Sequence, residues 1–379
     1  MHILIDIRLL GRGGLSGIEE YTHQIVKNLL TQNPEHAYTL FYNGIKTDPL
    51  PFSWTSKKNV SVLNWHIPNK IIDIGARVIN FPKVDAHIRP DIIWSPHFNI
   101  LASTHIPRVI TFHDLSFIHH PDFFRVRQRT WHWLQNYKEQ AHRARLLIAD
   151  SYFTKSDIIN HLDVTPEKVA VVYPGIHSEM RLLSKDDAQR IAFRKKYNIT
   201  YPFLLYLGTL EPRKNIPTII RSFSQIKSKP QYKHLKLILA GKPGWLYQEI
   251  LKTAQMSLYR DDIIFWGPVK DEERKLLYNE ASVFVYPSFF EGFGFPPLEA
   301  QSCGCPVVVG DRTSLPEIID TSGLSVNPWS IDELTSAILN ILENELLRIS
   351  LIKAGLENVK KFTWKKTTDT ILEYMKHIR

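Results

Sequence analysis

The chain holds two cysteines in 379 residues, Cys303 and Cys305, one residue apart. That spacing suits neither a zinc ribbon nor a redox Cys-x-x-Cys pair, and two thiols cannot build a disulfide framework. Both read as free thiols in a reducing compartment. No window approaches 18 uncharged apolar residues, so no segment reads as a membrane span. The opening MHILIDIRLL carries Asp6 and Arg8 within its apolar run and has no small-residue cleavage site, which reads as a first strand rather than a signal peptide. Internal repeats, low-complexity tracts and any Asp-x-Asp are also missing. The location these absences imply is the cytoplasm, with at most a peripheral place on the inner face of the cell membrane.

What is present is the mix of a globular protein, 44% hydrophobic and 22% charged, at a length that suggests two domains. Lys plus Arg number 47 against 38 acidic residues, a formal charge of +9. A surplus of this size invites an anionic partner. It is spread evenly, with 20 basic and 16 acidic side chains in residues 1–182 and 27 and 22 in the rest, so there is no basic tail and nucleic acid is not the expected partner. Pro121–Arg145 alone, with six basic and two acidic residues, accounts for the excess of the first half.

Short runs of Ile, Leu and Val alternate with helical patterns along the chain. Strands are expected at His2–Ile7, Ala37–Tyr42, Asn59–Leu63, Asp91–Trp94, Arg108–His113, Leu146–Asp150 and Val169–Tyr173. A second series is expected at Phe203–Gly208, Leu235–Gly241, Ile263–Gly267, Val283–Tyr286 and Pro306–Gly310. Runs apolar on both faces belong to strands covered by helices on each side, and alternating β and α means parallel sheets with right-handed crossovers. Gly17–Leu30, Lys214–Ile226 and Glu272–Glu280 are expected helices. Pro174–Arg194 has no strand pattern, opens on Pro-Gly and carries a helix start at Ser184-Lys-Asp-Asp. The expected organisation is one α/β domain over 1–180, a second over 181–362, and a terminal helix over 363–379.

Four blocks carry chemistry. In Leu10-Gly-Arg-Gly-Gly-Leu-Ser-Gly, between the first strand and a helix, Gly13, Gly14 and Gly17 allow close approach of an anion to free helix N–H groups, though a plain surface turn explains them too. His113 closes a buried strand at the sheet edge where open α/β folds bind ligands, as a substrate hydrogen-bond donor or as a structural histidine. His119, His120 and Asp114 nearby leave a metal cluster open as a lesser alternative, since no spacing here places ligands at i, i+4 on a helix. In Gly208-Thr-Leu-Glu-Pro-Arg-Lys-Asn, Arg213 and Lys214 would stand at a helix start, against the macrodipole unless an anion such as a diphosphate lies between them. In Tyr286-Pro-Ser-Phe-Phe-Glu-Gly-Phe-Gly-Phe-Pro-Pro-Leu-Glu, Glu291 lies in a loop and Glu299 in the first turn of a helix that Pro296 and Pro297 start. Between them Gly292 and Gly294 expose backbone N–H groups. The eight-residue spacing alone is worthless, since Glu272 and Glu280 share it; the glycine, aromatic and proline context carries the weight. Finally, segment 123–145 reads as one basic aromatic helix with Val126, Thr130, Trp133, Tyr137, Ala141 and Ala144 along one stripe. It is either a crossover helix packed on the sheet or a surface for anionic lipid or a lipid-linked acceptor, through Arg125, Arg127, Arg129 and Trp131.

In this order and at these separations, the blocks resemble the family 4 glycosyltransferases, retaining enzymes that use nucleotide sugars. The resemblance implies the GT-B fold, two Rossmann-like domains with parallel sheets facing across a cleft. FGFPPLE with GTLEPRKN looks closest to bacterial mannosyltransferases of surface-polysaccharide synthesis. By resemblance, Lys214 holds the donor diphosphate, Glu291 meets the transferred sugar near its anomeric carbon and Glu299 the ribose hydroxyls. Backbone N–H groups around Phe293, Gly294 and Phe295 meet phosphate or sugar, those at Gly14–Gly17 phosphate or acceptor, and His113 the donor sugar. Many members place Arg where this chain has Thr209, and Arg213 is the candidate to supply the missing guanidinium. The implied co-substrate is a nucleotide sugar, with GDP-mannose favoured over UDP-sugars. No cofactor or metal is implied, and the acceptor is a glycan or polyprenyl-linked glycan. The terminal helix is expected to cross back onto the first domain.

Overall fold

Thirteen strands form in the described residues, which are 1–12, 17–44, 52–124 and 126–378 of a computed structural model. Contacts divide the chain into Met1–Gly175 with Thr363–Arg379, and Ile176–Phe362. The first unit holds β1 (His2–Asp6), β2 (Ala37–Phe41), β3 (Val60–Leu63), β4 (Ile92–Ser95), β5 (Arg108–Phe112), β6 (Leu146–Ala149) and β7 (Val169–Val171). They pair in the order β3-β2-β1-β4-β5-β6-β7, every pair parallel. The second unit holds β8 (Phe203–Leu207), β9 (Lys236–Ala240), β10 (Ile263–Gly267), β11 (Val283–Tyr286), β12 (Val307–Gly310) and β13 (Leu324–Val326), in the order β10-β9-β8-β11-β12-β13, again parallel. Each sheet reverses its order once, between β1 and β4 and between β8 and β11. This is the Rossmann arrangement, whose ligands bind beyond the strand C-termini at the reversal.

Two-sided burial explains why these runs are strands: β5 and β8 are buried at every position. Five expected strands ended on His113, Asp150, Tyr173, Gly208 and Gly241, and each of these lies beyond the ladder, in the loops at the C-terminal sheet edge. β13 was not expected. Its three residues have no run to read, and only pairing with β12 makes them a strand.

Segment 123–145 is not one helix. It forms Val126–Gln135 and Tyr137–Arg143, broken at Asn136, whose φ of 49° is left-handed. The break spoils the expected stripe: Val126 and Trp133 are exposed, while Gln135, Gln140, Ala141 and Ala144 are buried. Gln135 explains why the chain turns there. Its amide accepts from the Ile100 N–H at 2.6 Å and donates to Asp73 at 3.1 Å, joining a buried network in which Arg8 pairs with Asp6 (2.7 Å) and Asp73 (3.0 Å). Burying these charges requires that every one be paired, and they are. The terminal helix Trp364–Ile378 belongs to the first unit, burying Trp364, Ile371, Leu372 and Met375.

Candidate active site

In the second unit the loops after β8 and β11, neighbours at the reversal, bring together residues 77 apart in sequence. After β8, Pro212–Lys214 forms a separate 3-10 turn, and the long helix begins only at Ile216, after Asn215 in a left-handed conformation. Arg213 and Lys214 therefore precede that helix rather than opening it. The anion between them is a protein carboxylate. Lys214 Nζ lies 2.5 Å from Glu291 Oε1 and donates to the Tyr286 hydroxyl at 2.6 Å. Arg213 donates to Glu291 Oε2 at 3.2 Å and to the Phe290 carbonyl at 2.8 Å, and pairs with Glu211 at 3.0 Å. Two cations and two carboxylates thus balance in a small volume.

Burial would push the Glu291 carboxyl upward, but Lys214 and Arg213 outweigh it and hold the pKa at about 2, so the group is ionised. Lys214 and Glu291 are each 6% exposed, which makes their mutual contact unusually strong and any unpaired state costly. Glu291 is also fixed from behind. Its N–H donates to Thr313 Oγ1 at 3.0 Å, and the Ser314 hydroxyl shares its one proton between the Glu291 and Phe293 carbonyls, at 2.9 and 2.8 Å. Thr313 makes that contact at a φ of 59°, a position that costs a β-branched residue strain.

Gly294 precedes the helix Phe295–Ser302 with a φ of 108°, and a Cβ there would stand 2.8 Å from Leu315 Cδ2. Only glycine suits that corner. Gly292 and Phe293 are buried, and Phe293 packs edge-on to Phe295 and Phe362. Glu299 falls just past the first turn of this helix and is 5% exposed; its carboxylate accepts from Tyr278 at 3.1 Å and faces Arg274 at 3.4 Å. The Thr209 side chain is exposed, and its carbonyl accepts from the Tyr206 hydroxyl at 2.8 Å.

His113 belongs to the first unit, just beyond β5. Both ring nitrogens are engaged: Nδ1 with Asp150 Oδ2 at 2.6 Å, and Nε2 with the Pro96 carbonyl at 2.8 Å. A carbonyl only accepts, so Nε2 carries a proton. Burial opposes the charged ring, but Asp150 and the Pro96 carbonyl outweigh it and raise the pKa. This engagement fits the structural reading of His113; to act as a substrate donor, the ring must exchange one of these partners. Tyr21 stands edge-on to the ring at 4.7 Å.

Gly17, exposed at the start of helix Gly17–Gln32, has open space where a Cβ would stand. Gly13, Gly14 and Arg125 lie outside the described residues. Arg127 and Arg129 are exposed, as expected. Trp131 is half-buried: it packs against the core of the first unit and stacks on His97 with centroids 5.7 Å apart. Asp150, Tyr286, Thr313, Ser314, Tyr278 and Arg274 were missed. A signal existed for Asp150, at the end of the strand beside the one that ends at His113; for the others there was none, because their partners are distant in sequence.

Residues 15–180 match the Glycosyltransferase Family 4 description and residues 189–358 that of glycosyl transferases group 1. The O-antigen chain mannosyltransferase B of Escherichia coli is 30% identical over 370 residues, covering 95% of this chain and 96% of the relative. Among solved structures, sucrose-phosphate synthase from Thermosynechococcus elongatus superposes with a TM-score of 0.78 at 19% identity, covering 100% of this chain and 99% of the other. Anabaena Alr3699/HepE in complex with UDP-glucose does so with a TM-score of 0.73 at 18% identity, covering all of both chains. At these identities the two structures speak for the fold alone. With the reversal-point cluster of Glu291 and Lys214 behind it, the chain belongs to the family 4 glycosyltransferases of the GT-B fold.

Proposed function

We propose that this glycosyltransferase moves mannose from GDP-mannose, with retention of configuration, onto a glycan or polyprenyl-linked acceptor in bacterial polysaccharide or lipopolysaccharide synthesis. The observation that carries the reading is the Arg213–Lys214–Glu291 cluster at the strand reversal of the second unit. The sugar assignment is supported by the mannosyltransferase relative. Lys214 and Arg213 receive the donor diphosphate, Glu291 stands near the anomeric carbon, and Glu299 meets the ribose. The backbone N–H groups of 293–295, at the start of helix Phe295–Ser302, meet phosphate or sugar. His113 and the loop ending at Gly17 serve the sugar, phosphate or acceptor from the first unit.

In the reaction the bond from C1 to the phosphate oxygen breaks and a bond from C1 to the acceptor oxygen forms on the same face. The acceptor proton passes to the leaving phosphate. Negative charge grows on that phosphate, and the two cations, Lys214 and Arg213, stabilise it without a metal. The donor must first compete for cations that Glu291 already holds, so binding and rearrangement of the cluster are one event. Glu291 is the carboxylate considered for a covalent route, but its tight pairing with Lys214 favours an electrostatic role.

A peripheral lipid contact is part of this reading, with an apolar component that the basic residues alone did not suggest. On helix Asn69–Val78, Ile71, Ile74 and Val78 are each more than half exposed, as are Ile79 and Phe81 just beyond it. Arg77 sits over the exposed Trp133 ring at 4.4 Å, and Lys70, Lys83, Arg127 and Arg129 are exposed nearby in sequence. Apolar side chains beside basic ones suit an anionic bilayer surface. No helix among the described residues is long and apolar enough to cross a membrane.

Donor identity is tested by thermal stabilisation with GDP-, UDP- and ADP-sugars in the absence of metal, since a ligand bound by the folded state raises stability by mass action. A selective GDP-mannose shift is expected. A UDP-sugar shift overturns the donor while keeping the class, and release of free sugar without acceptor points to a hydrolase or epimerase. A chain that binds lipid but no nucleotide, with binding unchanged in Lys214→Ala, is a basic binding module instead.

A further inference from the structure

We propose that His119, Asp157 and His161 of the first unit form a zinc site. His119 ends the short helix Ser116–His119, which follows β5 and His113. Asp157 and His161 lie one turn apart on helix Tyr152–Leu162, which follows β6 and Asp150. Their ligand atoms all fall within 4.8 Å of one another. His119 Nε2 is 2.8 Å from both Asp157 oxygens, and His161 Nε2 is 3.6 Å from Oδ1, too long for a hydrogen bond. The two rings stand at 85° with centroids 4.7 Å apart, so they converge on the carboxylate from different directions.

Metal–ligand distances of about 2.0–2.2 Å in a tetrahedral site place ligand atoms roughly 3.3–3.6 Å apart. His161 already stands at such a distance from Oδ1, and His119 has to withdraw by about half an ångström. Charge argues the same way. Asp157 is 6% exposed, yet among the described residues its ion pairs are with these two imidazoles and with no Lys or Arg. A buried carboxylate without a Lys or Arg partner lacks permanent compensation, which a divalent cation supplies. A bound ion takes the Nε2 lone pair of each imidazole, and any proton there passes to solvent. The His119 and His161 side chains are 29% and 38% exposed, which provides a route of entry and room for water as the fourth ligand. The bound ion clamps together the segments that carry His113 and Asp150. That role is structural and independent of the donor chemistry proposed above.

The test uses the full-length, tag-free chain, stripped with EDTA, re-equilibrated with zinc chloride, passed through a desalting column and assayed for metal. About one zinc per chain is expected, with a rise in Tm and, for cobalt, the visible bands of a tetrahedral nitrogen–oxygen site. His119→Ala and His161→Ala, both at solvent-facing positions, should fold as wild type without metal and lose zinc affinity by roughly tenfold or more, whereas His142→Ala should keep it. Asp157→Asn adds a third variant where it folds. Wild-type retention of zinc no greater than in His161→Ala, or affinity unchanged in both histidine variants, overturns the site. None of these readings depends on transferase activity, so failure here leaves that assignment standing.

Discussion

Glu291 carries the sharpest residue-scale consequences. Glu291→Ala should lower transfer by about a hundredfold or more, the range seen when one preorganised group at a reacting centre is lost, read in a sugar-transfer assay. Lys214→Ala should weaken nucleoside diphosphate binding, measured by calorimetry, if the ammonium is the point charge offered to the phosphates, as proposed. The carboxyl of Glu291, held at about 2 against an ordinary 4.5, binds its proton less tightly in the folded chain than in the unfolded one. Its pairing therefore stabilises the fold above pH ~4.5 and is lost as the pH falls toward ~2, a contribution on the order of 3 kcal/mol. Urea unfolding between pH ~5 and ~2.5 should show a shallower decline in Glu291→Gln than in wild type. Equal slopes would mean that the pair is not linked to folding.

At the scale of elements, the loops do what the strands cannot. Gly294 turns the chain from the Glu291 loop into its helix at a φ no side chain favours, with Leu315 against the missing Cβ. Gly294→Ala should cost about 1–3 kcal/mol by thermal unfolding and lower transfer with it, since the same corner positions the backbone N–H groups. The helix Asn69–Val78 makes a different prediction. Replacing Ile74 and Val78, both exposed and so spared from packing, by Glu should leave Tm near wild type and reduce co-sedimentation with phosphatidylglycerol vesicles. Wild-type binding should weaken with added salt, and binding that is equal on neutral vesicles would refute the anionic-surface reading.

On the scale of the whole molecule, the chain leaves its first unit at Gly175 and returns to it at Thr363. The returning helix buries four large side chains, each contributing about 1.5–3 kcal/mol by area removed from water. Their sum rivals the net stability of an ordinary domain. A chain ended at Phe362 should therefore show protease-sensitive residues 1–175 while 176–362 stays protected, as limited proteolysis with mass spectrometry would reveal. The net charge of +9 has no single seat, which fits a surface assembled from short basic segments rather than a tail.

The sequence by itself determined what depends on local pattern: two parallel α/β sheets, the free thiols, and the glycine and proline grammar around Glu291 and Lys214. Twelve of the thirteen strands announced themselves as apolar runs, because most are covered on both faces; β3 and β10 at the sheet edges are only partly so. Tertiary structure alone decided the rest. β13 is a strand only because β12 lies beside it. That Gln135 is buried in the Arg8–Asp73 network, 62 residues away in sequence, and that the helix breaks at Asn136, follow from packing that no stripe reports. Lys214 and Glu291 could each be singled out as a candidate, but that they hold each other is a matter of β8 adjoining β11; that Asp150 and the Pro96 carbonyl occupy both nitrogens of His113 follows from β5 lying between β4 and β6. Periodicity reports how a residue faces its own neighbours along the chain. Which charges meet depends on strand order, which is settled by burial summed over whole sheets.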